Sequence, residues 1–396
     1  MMPLPENSRP RWEIFCRVVD NFGDIGVCWR LACDLALRQE RPVRLWVDDW
    51  SVLGRICPPA RVLDPERGGV VAGVELRHWG EPFPVLVPGE IVIEAFACEL
   101  PEAHLQAMAR QARRPVWINL EYLSAEDWVA GCHGLASPHP RLPLVKHFFF
   151  PGFDTDSGGL LREADLLARR DAFVADPVRR AAWRVERGLA QGAADSLWVS
   201  LFAYEQPGLA ALIGAWQGGS RAIELRVPES RVLGDLARAL GVDALRAGDR
   251  LQHGRLGVQV LPFTDQAGYD QLLWGCDLNF VRGEDSFVRA QWAAKPFVWQ
   301  IYPQSGAAHR DKLDAFLGRY LAGVAPAPAA ALVALWQAWN GFGASAAALA
   351  QAWPAFSEAL PALDAHARHW CGRLAAGEDL VTRLTRFCSH IEAAAR

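Results

Sequence analysis

The stretch Trp12-Glu13-Ile14-Phe15-Cys16-Arg17-Val18-Val19-Asp20-Asn21-Phe22-Gly23-Asp24-Ile25-Gly26 decides how the chain is read. Residues 12–19 form an apolar run rich in strand formers. Residues 20–24 are turn-like, with Asp, Asn and Gly crowded together. Val27, Leu31, Leu35 and Leu37 then recur on or near one helical face. A strand, a tight polar loop and a helix make the opening unit of an alternating α/β fold.

The alternation continues outward. Strands are expected at residues 43–47, 74–78, 91–96 and 116–120, with a helix over 102–113. Residues 160–189 are rich in Arg, Ala and Leu and read as a helix pair broken at Pro177. A second series has strands at 196–203, 223–227, 256–261, 277–281 and 296–300, and helices over 209–216, 230–240 and 286–294. From residue 307 the chain reads as mainly helical, with a helix pair over 325–350. The expected organisation is a Rossmann-like domain over 1–158, a helical linker over 159–192 and a second Rossmann-like domain over 193–372. A C-terminal helix over 373–396 is expected to pack back on the first domain. Each domain should hold a parallel sheet.

A chain of 396 residues, 51% hydrophobic, fits two domains of the usual ~150 residues and can bury a core without disulfides or metal. A formal charge of -4 argues against non-specific nucleic-acid binding, which needs a basic excess. No apolar run approaches the ~18 residues of a membrane span, and residues 1–11 lack the core of a signal peptide. The nine cysteines are scattered without CxxC or zinc spacing and read as reduced core thiols. The expectation is a soluble, cytoplasmic protein. The 17 tryptophans, against 3 methionines, have no ready explanation in the sequence.

Several chemistries lack their motifs. No GxGxxG opens either half, and the nearest string, residues 68–73, has the wrong spacing and no helix after it. There is no GxxxxGK[ST], GxSxG or HExxH. Asp154-Thr155-Asp156 has the spacing of a cation-binding pair, but so short a pattern recurs by chance, and no metal is expected.

Four stretches carry candidate chemistry. In the opening loop, Asp20 and Asp24 stand at the carboxyl end of the first strand, where open α/β sheets bind ligands. Paired carboxylates there suit general-base work or binding of a cation; alternatively Asp24 only caps the helix. In Asn279-Phe280-Val281-Arg282-Gly283-Glu284-Asp285-Ser286-Phe287-Val288-Arg289, a strand again runs into a helix. The free amides of that helix start, with Arg282, would suit a diphosphate, unless the acids merely cap the helix. The strings 200–205 and 261–266 end two further strands with Phe202, Tyr204, Phe263 and Gln266, which can stack on and hydrogen-bond a base, or simply cap the core. Trp117-Ile118-Asn119-Leu120-Glu121-Tyr122 and the aromatic run 146–153 are too apolar for a free surface.

The strings 15–26, 117–122 and 279–289, in this order and in both halves, closely resemble the EarP family, bacterial arginine rhamnosyltransferases of translation elongation factor P. The resemblance implies a GT-B glycosyltransferase, with two Rossmann-like domains facing across a cleft and a C-terminal helical segment. It implies a protein acceptor on the N-terminal domain and dTDP-β-L-rhamnose, as donor substrate rather than cofactor, on the C-terminal one. Transfer would be inverting and metal-free. The second aspartate of the family's loop, taken as general base, falls on Asp24; Asp20 and Glu284 are expected to hold the guanidinium, beside Asn21, Phe22 and Gly23. Phe202, Tyr204, Gln266, Arg282, Gly283, Asp285 and Ser286 map to donor binding, with Phe263 and Tyr302 as added contacts. Competing readings are a GT-B enzyme for another sugar or a lipid or glycan acceptor, and a two-lobed binding module without catalysis.

Overall fold

The structure is a computed structural model that describes residues 10–20, 22–39, 41–84, 86–189, 195–303, 308–343, 345 and 347–394. Two compact units emerge, one holding the chain up to Ala164 and from Ala375 onward, the other holding Asp165–Leu374.

In the first unit, β1 (Trp12–Cys16) leads to α1 (Gly23–Gln39), then β2 (Val43–Val47), α2 (Trp50–Ile56), β3 (Gly69–Val71), β4 (Val74–His78) and β5 (Ile91–Ala95). The chain continues through α3 (Glu102–Ala109), β6 (Val116–Leu120), α4 (Val129–Cys132), β7 (Ala136–Pro138) and β8 (Val145–Phe149). The sheet runs β3-β4-β2-β1-β5-β6-β8-β7, antiparallel only at its two outer pairs. Its six parallel strands thus follow the doubly wound order 3-2-1-4-5-6.

Every residue of β1, β2, β5 and β6 is buried, as strands covered on both faces must be. Four of these buried residues are polar, Glu13, Arg44, Glu94 and Asn119, and the charge of Glu13 in β1 is met from all sides. Arg44 Nη1 and Trp46 Nε1 donate to its Oε1 at 3.1 and 2.8 Å, and the Gly89 amide donates to Oε2 at 2.7 Å. His104 Nε2 lies 3.3 Å from the same Oε2.

Sequence periodicity overshoots in places. The first strand stops at Cys16, because the amides of Val18, Val19 and Asp20 turn to carboxylates instead of a neighbouring strand. Leu37 is exposed while Val27, Leu31 and Leu35 are buried, since two residues past Leu35 is the far side of a helix. Residues 68–73 open a hairpin: Ala72 and Gly73, both at positive φ, turn β3 into β4. The aromatic run supplies β8, parallel to β6, with Phe149 fully buried.

The second unit begins with α5 (Leu166–Ala175) and α6 (Pro177–Glu186), the stretch read as a linker. These helices pack within this unit, where Phe173 meets Trp183 and Trp274. Then come β9 (Leu197–Leu201), α7 (Leu209–Gln217), β10 (Ile223–Pro228), α8 (Leu233–Leu240), β11 (Arg250–His253), β12 (Leu256–Leu261) and α9 (Gln266–Gly275). After them lie β13 (Leu278–Arg282), α10 (Asp285–Trp292), β14 (Phe297–Gln300), α11 (Ala308–Tyr320), α12 (Pro326–Trp339) and α13 (Ala348–Ala375). The sheet order is β11-β12-β10-β9-β13-β14, with only the β11–β12 pair antiparallel. Finally α14 (Leu380–Ala394) packs on α1 and β6 of the first unit, where Asp379 before it takes Arg38 Nη1 at 2.9 Å.

The tryptophan excess is a core feature: of the 17, all but Trp50 and Trp128 are buried. In the second unit Phe316, Tyr320, Trp336 and Trp370 pack ring on ring beneath β14 residue Phe297. All nine cysteines are free thiols, buried except Cys33 and Cys132. Among the described residues no helix is long and apolar enough to cross a membrane.

Candidate active site

In a doubly wound sheet the crevice for ligands opens where the strand order reverses, at the carboxyl end of the first strand and its fourth-position neighbour. In the first unit that point lies between β1 and β5, and the loop after β1 carries both candidate acids. Asp24, in the first turn of α1, is only 2% exposed. Its side chain folds back over the loop rather than capping forward. Asp24 Oδ2 accepts the amides of Val19 and Asp20, each at 2.8 Å, and Oδ1 accepts the Tyr122 hydroxyl at 3.1 Å.

Asp20 is half-buried and lies against Gly23, where a Cβ would come within 2.8 Å of Asp20 Oδ2. Gly23 is therefore needed for room beside the acid. The Phe22 ring carries the Arg55 guanidinium 5.2 Å from its centroid. Asn21 lies outside the described residues. The loop is tied to its neighbour by Asp48, after β2, which accepts the Val18 amide at 2.8 Å.

In the second unit the reversal lies between β9 and β13. Apart from Arg282, the last residue of β13, every remaining candidate sits beyond the carboxyl end of a parallel strand: Phe202 and Tyr204 after β9, Phe263 and Gln266 after β12, Gly283 to Ser286 after β13, and Tyr302 after β14. Arg282, buried at the end of β13, is clamped between rings, its guanidinium carbon 4.6 Å from Phe202 and 4.4 Å from Tyr204. Tyr302 meets the Tyr204 ring edge-on and remains partly exposed.

Gly283 has a φ of 61°, which lets the chain bend from β13 into α10. Glu284 is the cap residue of α10 but makes no side-chain cap bond, and Asp285 is the first helical residue. The Ser286 hydroxyl reaches back to the Arg282 backbone, accepting its amide at 3.0 Å. The α9 start is capped by Asp265, which accepts the Gly268 amide at 2.8 Å, with Gln266 directly after it. Buried Arg289 of α10 forks onto Asp270 of α9 at 2.9 and 2.7 Å and so fixes these two helices to each other.

The sequence model of the Elongation-Factor P (EF-P) rhamnosyltransferase EarP matches residues 12–389. The chain belongs to the EarP family. Within EarP it is a glycosyltransferase, a protein-arginine rhamnosyltransferase. A protein-arginine rhamnosyltransferase of Pseudomonas putida is 48% identical over 379 residues, covering 95% of this chain and 98% of that one. A solved structure of EarP, which addresses arginine glycosylation of translation elongation factor EF-P, is 37% identical with a TM-score of 0.68, covering 96% of this chain and 99% of that one. The spinosyn rhamnosyltransferase bound to its aglycone shares the fold alone, at 10% identity and a TM-score of 0.51, covering 95% of this chain and 99% of that one. The fold is that of GT-B glycosyltransferases.

For this EarP member the structure brings Asp20, Phe22, Gly23 and Asp24 into one loop of the first unit, and gathers the other described candidates at one sheet end of the second. Two residues were passed over. Tyr122 carries no sign of a role in the sequence, because nothing there ties residue 122 to residue 24. Phe96 gave no signal at all; its ring stacks on Tyr122 at 4.3 Å. Asp154 and Asp156 sit in an exposed turn, and among the described residues no group of three or more His, Cys, Asp or Glu could hold a metal ion.

Proposed function

We propose that the chain transfers L-rhamnose from dTDP-β-L-rhamnose to a guanidinium nitrogen of one arginine of translation elongation factor P, with inversion and without a metal. The observation that carries this reading is the family match across residues 12–389. It implies work in the cytoplasm, where that acceptor operates.

The chemistry asks for carboxylates. A guanidinium, with a pKa near ~13.8, is protonated and a poor nucleophile. Asp20 and Glu284 are assigned to hold its charge on the nitrogens that do not react. As the N–C bond forms at the anomeric carbon and the C–O bond to the diphosphate breaks, the attacking nitrogen gives its proton to Asp24. The departing dTDP carries the bonding pair away as an anion. Arg282 and the amide-rich start of α10 with Asp285 and Ser286 are assigned to the diphosphate, and Phe202, Tyr204, Phe263, Gln266 and Tyr302 to the nucleotide. The clamped Arg282 supports the diphosphate role, because a guanidinium already fixed between two rings loses little freedom on binding.

Intact-mass measurement of elongation factor P after incubation with the enzyme and dTDP-rhamnose tests the proposal. A gain of one deoxyhexose on a single arginine is expected. An unmodified acceptor, beside transfer from another nucleotide sugar or to another acceptor, would overturn it.

A further inference from the structure

Asp24 is held at both of its oxygens. Two loop amides take Oδ2, and the hydroxyl of Tyr122 donates to Oδ1 at 3.1 Å. Tyr122 reaches this point from the carboxyl end of β6, two strands away from β1 across β5. Its own aim is set by the loop between. Phe96, directly after β5, stacks on the Tyr122 ring at 4.3 Å with the planes 14° apart. The Phe96 amide also donates to the Leu120 carbonyl of β6 at 2.7 Å.

That support has an energetic cost. Phe96, Ala97 and Glu99 all adopt positive φ, between 52° and 57°, in one short loop without glycine. Such conformations cost of order 1 kcal/mol or more each and persist only where surrounding structure fixes them. The strained loop holds the Phe96 ring flat against Tyr122, and Tyr122 in turn meets the carboxylate.

We infer that Tyr122, buttressed by Phe96, is a positioning residue that holds the Asp24 carboxylate in the orientation needed to take the proton. This rests on the reading of Asp24 as proton acceptor. The hydroxyl fixes one oxygen while the loop amides fix the other, so the carboxylate plane cannot rotate as substrate arrives. Displacements of about 1 Å in such a group cost up to ~100-fold in rate.

The test is Tyr122→Phe, which keeps the stacked ring and removes only the hydroxyl. The expected result is a fall in kcat of about 10- to 100-fold, with KM for donor and acceptor and the melting temperature unchanged. Phe96→Leu, which leaves the hydroxyl but loosens the ring, should give the same split to a smaller degree, and it serves if Tyr122→Phe folds poorly. Unchanged kcat in both variants, or losses that appear equally in donor KM and thermal stability, would overturn the inference. Asp24→Asn in the same assay separates the two layers. If Asp24→Asn is inactive while Tyr122→Phe behaves as wild type, the positioning role alone fails. If Asp24→Asn keeps full kcat, the proton-acceptor reading fails and the positioning role falls with it.

Discussion

The two units share one strand order and end it in opposite chemistry. In both, the parallel strands run 3-2-1-4-5, and the candidate residues lie beyond the carboxyl ends of the strands around the reversal. In the first unit that point holds carboxylates, Asp24 gripped by backbone amides and a tyrosine hydroxyl. In the second it holds a guanidinium gripped by the faces of Phe202 and Tyr204. The sheets supply equivalent places; the loops decide which charge is presented. The acids of the first loop suit a cationic arginine and the clamped Arg282 suits a diphosphate, while Glu284, next to Arg282's loop glycine, is assigned to the arginine as well.

The sharpest way to break this comparison is at Asp24. Asp24→Asn should reduce rhamnosyl transfer about 1000-fold, within the range for loss of a general base. Affinity for dTDP, measured by calorimetry, should stay as it is, because the nucleotide is assigned to the other unit. Asp20→Asn should behave in the same direction. Full transfer activity in both variants would remove the catalytic role from the first unit.

The converse test is Arg282→Ala, expected to weaken dTDP binding about 100-fold through loss of a charge-assisted, bidentate contact. Arg282→Lys should not restore it, since an ammonium neither forks onto phosphate nor stacks in the clamp between the rings. Equal affinity of wild type and Arg282→Lys, again by calorimetry, would show that only charge matters there.

A third test concerns the buried charges that hold the first sheet. Burial pushes the Glu13 carboxyl up, but the His104 ring, Arg44 and the Trp46 indole N–H outweigh it and hold it down at about 2, against an ordinary 4.5. A depressed carboxylate adds stability that is fully present above the ordinary value and is lost as pH falls from about 4.5 towards about 2. Glu13→Gln should therefore lower stability at neutral pH by about 2 kcal/mol and flatten the acid dependence in that window. Hydrogen exchange of the β1 and β2 amides, followed against pH, reads this directly. A variant with the wild-type slope would assign acid sensitivity to other groups.

Much of this was legible beforehand, and what was missed shares a cause. The buried parallel strands stood out because residues such as Ile91–Ala95 and Val116–Leu120 are apolar but for one position each, and the loops were found because acids and glycines follow those runs at strand ends. The short edge strands β3, β7 and β11 escaped, since half-exposed strands of three or four residues carry no periodic signal. The grip on Asp24 by Tyr122, and on Arg282 by two rings, escaped for a related reason. Each joins residues 78 or more apart along the chain, and only strand order brings them together.

The smallest expected effects come from the two loop glycines, and they differ in kind. Gly283 is needed for its backbone: at a φ of 61° its amide donates to the Gln300 carbonyl at 3.1 Å and its carbonyl accepts the Trp299 indole N–H at 2.8 Å. Gly283→Ala should cost about 1–2 kcal/mol and lower the melting temperature of the second unit by roughly 2–8 °C. Gly23 is needed for space, since a methyl group there meets Asp20 Oδ2 at 2.8 Å. That contact is with a side chain able to swing away, so Gly23→Ala should leave melting nearly unchanged and instead cost transfer rate by moving the acid. Calorimetric melting and single-turnover transfer, run on both variants, should therefore give opposite patterns. The same pattern in both would mean that the loop after β1, like the one after β13, is limited by its backbone rather than by the placement of its charge.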